Sequence, residues 1–285
     1  MKGFVFLFSL ILFLVDNVNC QIKKDFDWQG HRGARGLFPE NSIYGFVNAL
    51  NYPINTIEFD VVISRDSQVV VSHEPWFSDE ICNNSLFENN IYKLNLSQIQ
   101  SVECGVKDHK RFPGQQKVSV SKPSLKEVIL AVNKKCKSAN INNIRYNIEL
   151  KSKLDWSGVF VPFPDVFSSL VLKEIKALGI ENKLTLQSFD TRILEELHKI
   201  DPKIKLVLLT NNAKSIKKNL KRISFKPFAY SPNYKTLRKC QVKRLHKLNI
   251  KVIPWTVNSK VSIKKMIDKG VDGMITDYPN LIEKF

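Results

Sequence analysis

The chain has 285 residues, with 44 Lys+Arg against 27 Asp+Glu, a formal charge of +17, and 43% hydrophobic residues. With only 11 glycines and 12 prolines, this is the balance of a globular protein. It excludes a disordered acidic chain, a collagen-like repeat and a polytopic membrane protein, and five cysteines without zinc-finger spacing are too few for a disulfide scaffold.

In chain order, Lys2 precedes an apolar run from Phe4 to Val15 in which Ser9 is the one polar residue. This reads as a secretory signal peptide, too short to span a membrane. Val18 and Cys20 suit the −3 and −1 positions of a cleavage site, so residues 1–20 are expected to be the signal and 21–285 the mature, secreted or periplasmic chain. The alternative makes Cys20 the lipid-modified first residue of a lipoprotein.

From there, apolar strand-like runs alternate with amphipathic ones. Strands are predicted over 28–31, Thr56–Ile63, Arg145–Leu150, Leu184–Ser188, Lys205–Leu209, Phe228–Ser231, Lys251–Trp255 and Gly273–Thr276. Helices are predicted over Ser42–Leu50, Ser124–Ser138, Asp165–Leu178, Thr191–Ile200, Ala213–Leu220, Lys235–Leu248 and Val261–Lys269, with Asn41 or Ser42, Asp190 and Ser259 as N-caps and Gly179 and Gly270 beyond helix ends. Eight alternating units predict an α/β chain forming a single (β/α)8 TIM barrel. The alternative, a doubly wound open sheet, has no G-x-G-x-x-G after the first strand to support it. Residues 76–120 break the alternation and are expected to form an inserted loop or subdomain after the second strand, over the C-terminal mouth. Cys82 and Cys104 lie inside it and could bridge, while Cys136 and Cys240 fall in helical patterns and read as buried residues or free thiols.

Glu58 and Asp60 are two apart in a strand, so their carboxylates project to one side. Two buried carboxylates need a cation: a metal, or Arg and Lys partners. Glu149 ends another apolar strand, with Lys151 two residues on. Three carboxylates without sulfur or imidazole favour Mg2+ or Ca2+ over zinc. His31 and Arg32 follow the first strand, and Arg32 has the forked donors that suit phosphate. His73 follows Val69–Ser72, and two histidines at one mouth suit a general acid and base.

The segments HRGARGLFPENS, IEFDVVISRDSQVVVSHEP, NIELK, LQSFD, PWTVN and VDGMITDYP, running from Gln29 to Pro279, resemble the glycerophosphodiester phosphodiesterase family. The resemblance implies a TIM barrel that hydrolyses glycerophosphodiesters to glycerol phosphate and an alcohol with a divalent metal. It implies Glu58, Asp60 and Glu149 as metal ligands, His31 and His73 as the acid–base pair, and Arg32 and Lys151 on the phosphate. Gln187 would line the site and Trp255 would pack on the glycerol or head group. The chain departs from the family after the second histidine, where Glu74 replaces the usual Asp and an L-x-R-T-T element is missing. Asp108–Pro113 is either a solvated turn, the reading preferred, or a source of substitute contacts for that element.

From Lys199 to Lys251 there are 16 Lys+Arg against Asp201 alone. Such a face is either an ordinary solvated surface or one that attracts anionic membranes. Without interleaved aromatics, no nucleic-acid partner is expected. Two rival readings remain: a lysophospholipase D or cyclising phospholipase on the same barrel, and a non-catalytic membrane-surface binding protein.

Overall fold

The computed structural model describes residues 25–86, 88–212 and 214–285. The expected signal peptide and Cys20 lie outside them. Eight parallel strands form the barrel: β1 (Asp27–His31), β2 (Thr56–Ile63), β3 (Arg145–Leu150), β4 (Leu184–Ser188), β5 (Leu206–Thr210), β6 (Ala229–Pro232), β7 (Lys251–Val252) and β8 (Gly273–Thr276). Seven helices alternate with them: α1 (Ile43–Ala49), α2 (Leu125–Ser138), α3 (Pro164–Leu178), α4 (Thr191–Ile200), α5 (Ile216–Leu220), α6 (Lys239–Lys247) and α7 (Lys260–Lys269). Strands β1 to β7 pair in order, and β8 pairs with β1. The β7–β8 seam is closed by Asp272 N–H on Val252 O at 2.9 Å and Ile275 N–H on Pro254 O at 3.0 Å.

All eight residues of β2 are buried, as befits a strand with helices outside and a packed lumen inside. Its outward residues, among them Phe59 against Phe46 at 5.4 Å, join the barrel–helix core. The lumen is divided. Between β1 and β4 it is polar: Asn147 donates to Gln29 at 2.8 Å and to Gln187 at 3.1 Å. Between β5 and β8 it is apolar, filled by Val207, Ala229, Ile253 and Ile275.

The cap positions follow the sequence. Ser42, Asp190 and Ser259 accept backbone N–H groups at helix starts, and Gly179 and Gly270 take left-handed conformations at helix ends. Two expectations are corrected. The run 235–248 is not one helix: Asn233 caps a 3-10 turn at Tyr234–Thr236, extended Leu237 is buried, and α6 starts only at Lys239. The strand expected over Lys251–Trp255 is regular only to Val252, since Pro254 has no N–H to give the ladder.

After β2 the chain turns back as an antiparallel strand, Val69–Val71, and enters the insertion. There Cys82–Asn83 pairs with Glu103–Cys104, and a Cys82–Cys104 disulfide ties the ribbon. Cys136 and Cys240 are free thiols, half-buried and exposed respectively. The insertion is seated by Gln116 N–H on Leu37 O at 2.8 Å and by the Gln115 amide on Arg35 O at 2.6 Å.

Candidate active site

Parallel pairing sets Asp60 beside Glu149 and His31 beside Glu58 at the C-terminal ends of adjacent strands. One oxygen each of Glu58, Asp60 and Glu149 falls within 4.8 Å of the others, and all three residues are buried. Asp60 and Glu149 also have basic neighbours: Lys151 Nζ lies 2.7 Å from Glu149 and 3.7 Å from Asp60, and Arg32 Nε lies 3.2 Å from Asp60. Glu58 has none. It accepts from the Arg32 amide at 3.0 Å and the Gln187 amide at 2.8 Å, and its basic neighbour in ion-pair range among the described residues is the His31 imidazole at 4.0 Å.

The electrostatics follow from this asymmetry. Burial, with Asp60 and Glu149 beside it, pushes Glu58 well above the usual carboxylate range. Burial pushes Glu149 up to about 7 against the pull of Lys151. Burial also raises Asp60, but Arg32, His73 and Lys151 outweigh it and hold that carboxyl low. Ion pairing therefore accounts for two of the three acids and leaves Glu58 uncompensated. Three buried oxygen donors facing one point, with negative charge in excess, fit a hard divalent cation.

The loop after β1 sets the rest of the site. Glu40 binds Arg32 Nη1 at 2.7 Å and Arg35 Nε at 2.8 Å, and the Asn41 amide donates to Asp60 at 3.0 Å. Gly33 has a φ of +90°, and a side chain there would meet the Gly45 backbone at 3.0 Å. The spacing of His31-Arg32-Gly33 and Pro39-Glu40-Asn41 is thus the spacing of one folded-back loop.

His31 Nδ1 lies 2.5 Å from Asp277 at the end of β8, and Asn258 holds that carboxylate at 2.6 Å. His73 Nδ1 pairs with Glu74. Burial holds both imidazoles below their ordinary value, against the carboxylates; at His73 the Arg32 and Lys151 charges add to it. Burial thus biases both rings toward the neutral form, and each carboxylate holds Nδ1 so that Nε2 is turned away from it.

Eight of the nine residues singled out in the sequence line one cavity of about 250 Å³, and Asp60 lies beneath it. Gln187 is there, but its amide is committed to Glu58. Trp255, edge-on to Phe189 at 5.5 Å, forms the apolar wall with Leu209 and Ile275. Four larger hollows among the described residues, of about 300 to 490 Å³, gather no comparable set of carboxylates and imidazoles.

The segment Asp108–Pro113 corrects an expectation. His109 and Phe112 are buried, and Arg111 lines the cavity. Phe112 lies between the Arg35 and Arg111 guanidiniums, 4.9 and 5.5 Å from its centroid, and edge-on to Tyr278 at 6.0 Å. The sequence reading also missed Asp277, Glu40, Asn41 and Glu74 as partners. Asp277 had one signal, an acid at the end of a barrel strand.

The model of the glycerophosphoryl diester phosphodiesterase family matches residues 31–281. A glycerophosphodiester phosphodiesterase of Caldanaerobacter subterraneus subsp. tengcongensis is 28% identical over 258 residues, 89% of this chain and 96% of the relative. One from Bacillus altitudinis is 29% identical over 253 residues, covering 88% and 94%. Among solved structures, a Silicibacter pomeroyi protein superposes with a TM-score of 0.81 at 24% identity, covering 93% and 94%. An Oleispira antarctica phosphodiesterase, solved with the product sn-glycerol-3-phosphate, gives 0.73 at 21%, covering 90% and 95%. At these identities the structural likeness speaks for the fold.

Proposed function

The chain belongs to the glycerophosphoryl diester phosphodiesterase family and is a glycerophosphodiester phosphodiesterase, and from that premise we propose that it releases glycerol phosphate with a divalent cation held by Glu58, Asp60 and Glu149. The observation that carries this reading is the uncompensated Glu58 carboxylate within 4.8 Å of two other buried acids, beside two carboxylate-backed imidazoles.

A bound cation supplies neutralisation of the charge that grows on the non-bridging phosphate oxygens. The Lys151 ammonium, with donors beyond its bond to Glu149, binds the phosphate, and Arg32 adds positive charge from a fixed position. Trp255 and Phe189 exclude water from the apolar side and receive the glycerol or head group. One imidazole enters neutral and takes the proton of the nucleophile on Nε2, while the other enters as imidazolium and gives its Nε2 proton to the departing alkoxide. Asp277 and Glu74 steady the imidazolium formed at His31 and at His73. The nucleophile is water or the substrate's own glycerol 2-hydroxyl, which would give a cyclic phosphate first.

The chain is read as secreted or periplasmic. Its apolar N-terminal run supports this, as does a disulfide of the kind that persists in oxidising compartments. The basic stretch from Lys199 to Lys251 is read as a surface for anionic membranes.

The test is release of glycerol 3-phosphate from glycerophosphocholine and glycerophosphoethanolamine, with and without chelator. Turnover lost on chelation and restored by Mg2+ or Ca2+ is expected; full turnover under chelation would refute the cation. Lysophosphatidate or cyclic phosphate as the main product would favour the lipid-directed alternatives.

A further inference from the structure

Four of the nine strongly exposed large apolar side chains among the described residues fall within 13 residues: Leu154 (78%), Val159 (52%), Phe163 (59%) and Val166 (47%). They sit on the loop after β3, which starts beside Glu149 and Lys151, and on the first turn of α3. Isolated exposed apolar residues are ordinary, but a cluster on the rim of an active site is not.

The loop is held firmly. Trp156 and Phe160 pack edge-on against Trp76 of the insertion, at 5.5 and 5.4 Å. Asn90 donates to Val159 O at 2.8 Å, and Ser152 donates to Asp190 at 2.7 Å. Gly158, at a φ of +78°, makes the turn and carries the Phe163 ring over it. The apolar side chains are therefore presented outward by a buttressed scaffold. In the same loop the exposed Lys153 has its Nζ 4.2 Å over the Trp156 ring, the pairing of an aromatic with a snorkelling cation that suits a membrane interface.

We propose that residues 152–163 form a lipid-docking tip that seats the barrel mouth on an anionic bilayer. The inference rests on the membrane-surface reading above and adds to it a contact residue set and an orientation. Charge argues for this occupant over a second copy of the chain. The tip is near neutral, with Lys153 beside Asp155, so its contact is apolar. On the same C-terminal face, the loops after β5 and β6 expose Lys214, Lys235 and Arg238, and these line a hollow of about 450 Å³ that would take lipid phosphates. Two copies of a +17 chain meeting on this face would set those cations against one another.

The experiment is flotation of the mature protein with phosphatidylcholine vesicles, with and without phosphatidylserine, at low and high salt. Wild type should bind the phosphatidylserine vesicles. Leu154→Ser/Phe163→Ser should bind them at least about tenfold more weakly, while its turnover of soluble glycerophosphocholine stays at the wild-type level. Lys235→Gln/Arg238→Gln should remove the salt-sensitive part of binding. Unchanged vesicle binding by the Leu154/Phe163 variant would overturn the docking tip and leave the basic-surface reading standing. Unchanged binding by the Lys235/Arg238 variant, with no salt dependence in wild type, would overturn that reading alone. Absence of wild-type binding would overturn both, without touching the catalytic assignment. A dimer in sedimentation velocity that the Leu154/Phe163 variant dissociates would assign the tip to a second copy instead.

Discussion

Asp277 fixes how the His31 imidazole faces the cavity, and so bears on the acid–base role proposed for it. Its carboxylate holds Nδ1 at 2.5 Å and leaves Nε2 on the side of Glu58, 4.0 Å away. An amide there could offer the ring a donor, which stabilises the opposite tautomer and supports an imidazolium poorly. Asp277→Asn is expected to lower kcat by roughly 10²-fold or more with little change in KM, as measured on glycerophosphocholine. A loss confined to KM would make Asp277 a substrate contact instead. His31 and His73 were legible because each ends a strand, but their carboxylate partners were not. Asp277 is 246 residues from His31, and no local pattern announces a contact at that range. Glu74 was noticed as a departure from the family, yet its pairing with His73 is visible only in space.

At the scale of the element, the loop between β1 and α1 behaves as an electrostatic clip. Glu40 is the shared partner of Arg32 and Arg35, both almost fully buried. Burial raises its carboxyl, but Arg32 and Arg35 outweigh that and hold it far below the ordinary range. A depressed carboxylate contributes stability above its unfolded value of about 4.3, and that contribution is lost as pH falls towards the folded value. Glu40→Gln should therefore destabilise the protein by about 3–5 kcal/mol near pH 7, because it leaves the buried Arg35 without its carboxylate and Arg32 with Asp60 alone. In urea titrations the gap between wild type and variant should narrow as pH falls below about 4. An equal gap at all pH values would mean that Glu40 acts through packing alone. The motif could be read from sequence, whereas its arithmetic of two arginines on one glutamate could not. Helices with strong caps and a clear apolar period were equally legible. The break at Leu237 was not, because the burial of an extended leucine is a tertiary fact that the helical period of its neighbours conceals.

Across the whole molecule, the lumen has a polar half under the carboxylates and an apolar half under Trp255. The strand sequences show this division in outline, as acids and amides in β1–β4 against Val, Ala and Ile in β5–β8. The insertion was the hardest region to read. From sequence it is expected as a loop or subdomain over the mouth and its Asp108–Pro113 segment reads as a solvated turn, whereas the burial of His109 and Phe112 depends on Arg35 and Tyr278, which lie in the first and last strand-end loops. Spacing alone left the pairing of Cys82 with Cys104 open as well. That bridge closes a loop with a sequence separation of 22, for which chain entropy gives about 3 kcal/mol. Cys82→Ala/Cys104→Ala should cost about that much and increase proteolytic cleavage between Trp76 and Val120, since the ribbon orders the segment that seats Arg111. A variant as stable and as resistant as wild type would show that packing alone holds the insertion.

Whether Glu58, Asp60 and Glu149 hold a cation or form only a set of ion pairs decides the proposed function. Calorimetric titration of chelator-treated protein with Mg2+ or Ca2+, in buffers of different ionisation heat, tests it directly. One ion per chain with proton release near neutrality is expected, because burial pushes Glu149 up to about 7 and holds Glu58 well above the usual carboxylate range. Affinity should weaken as pH falls below about 7, and Glu58→Gln should bind no ion. Saturable binding by Glu58→Gln equal to wild type, or hydrolysis by wild type that binds no ion at all, would contradict the cation site.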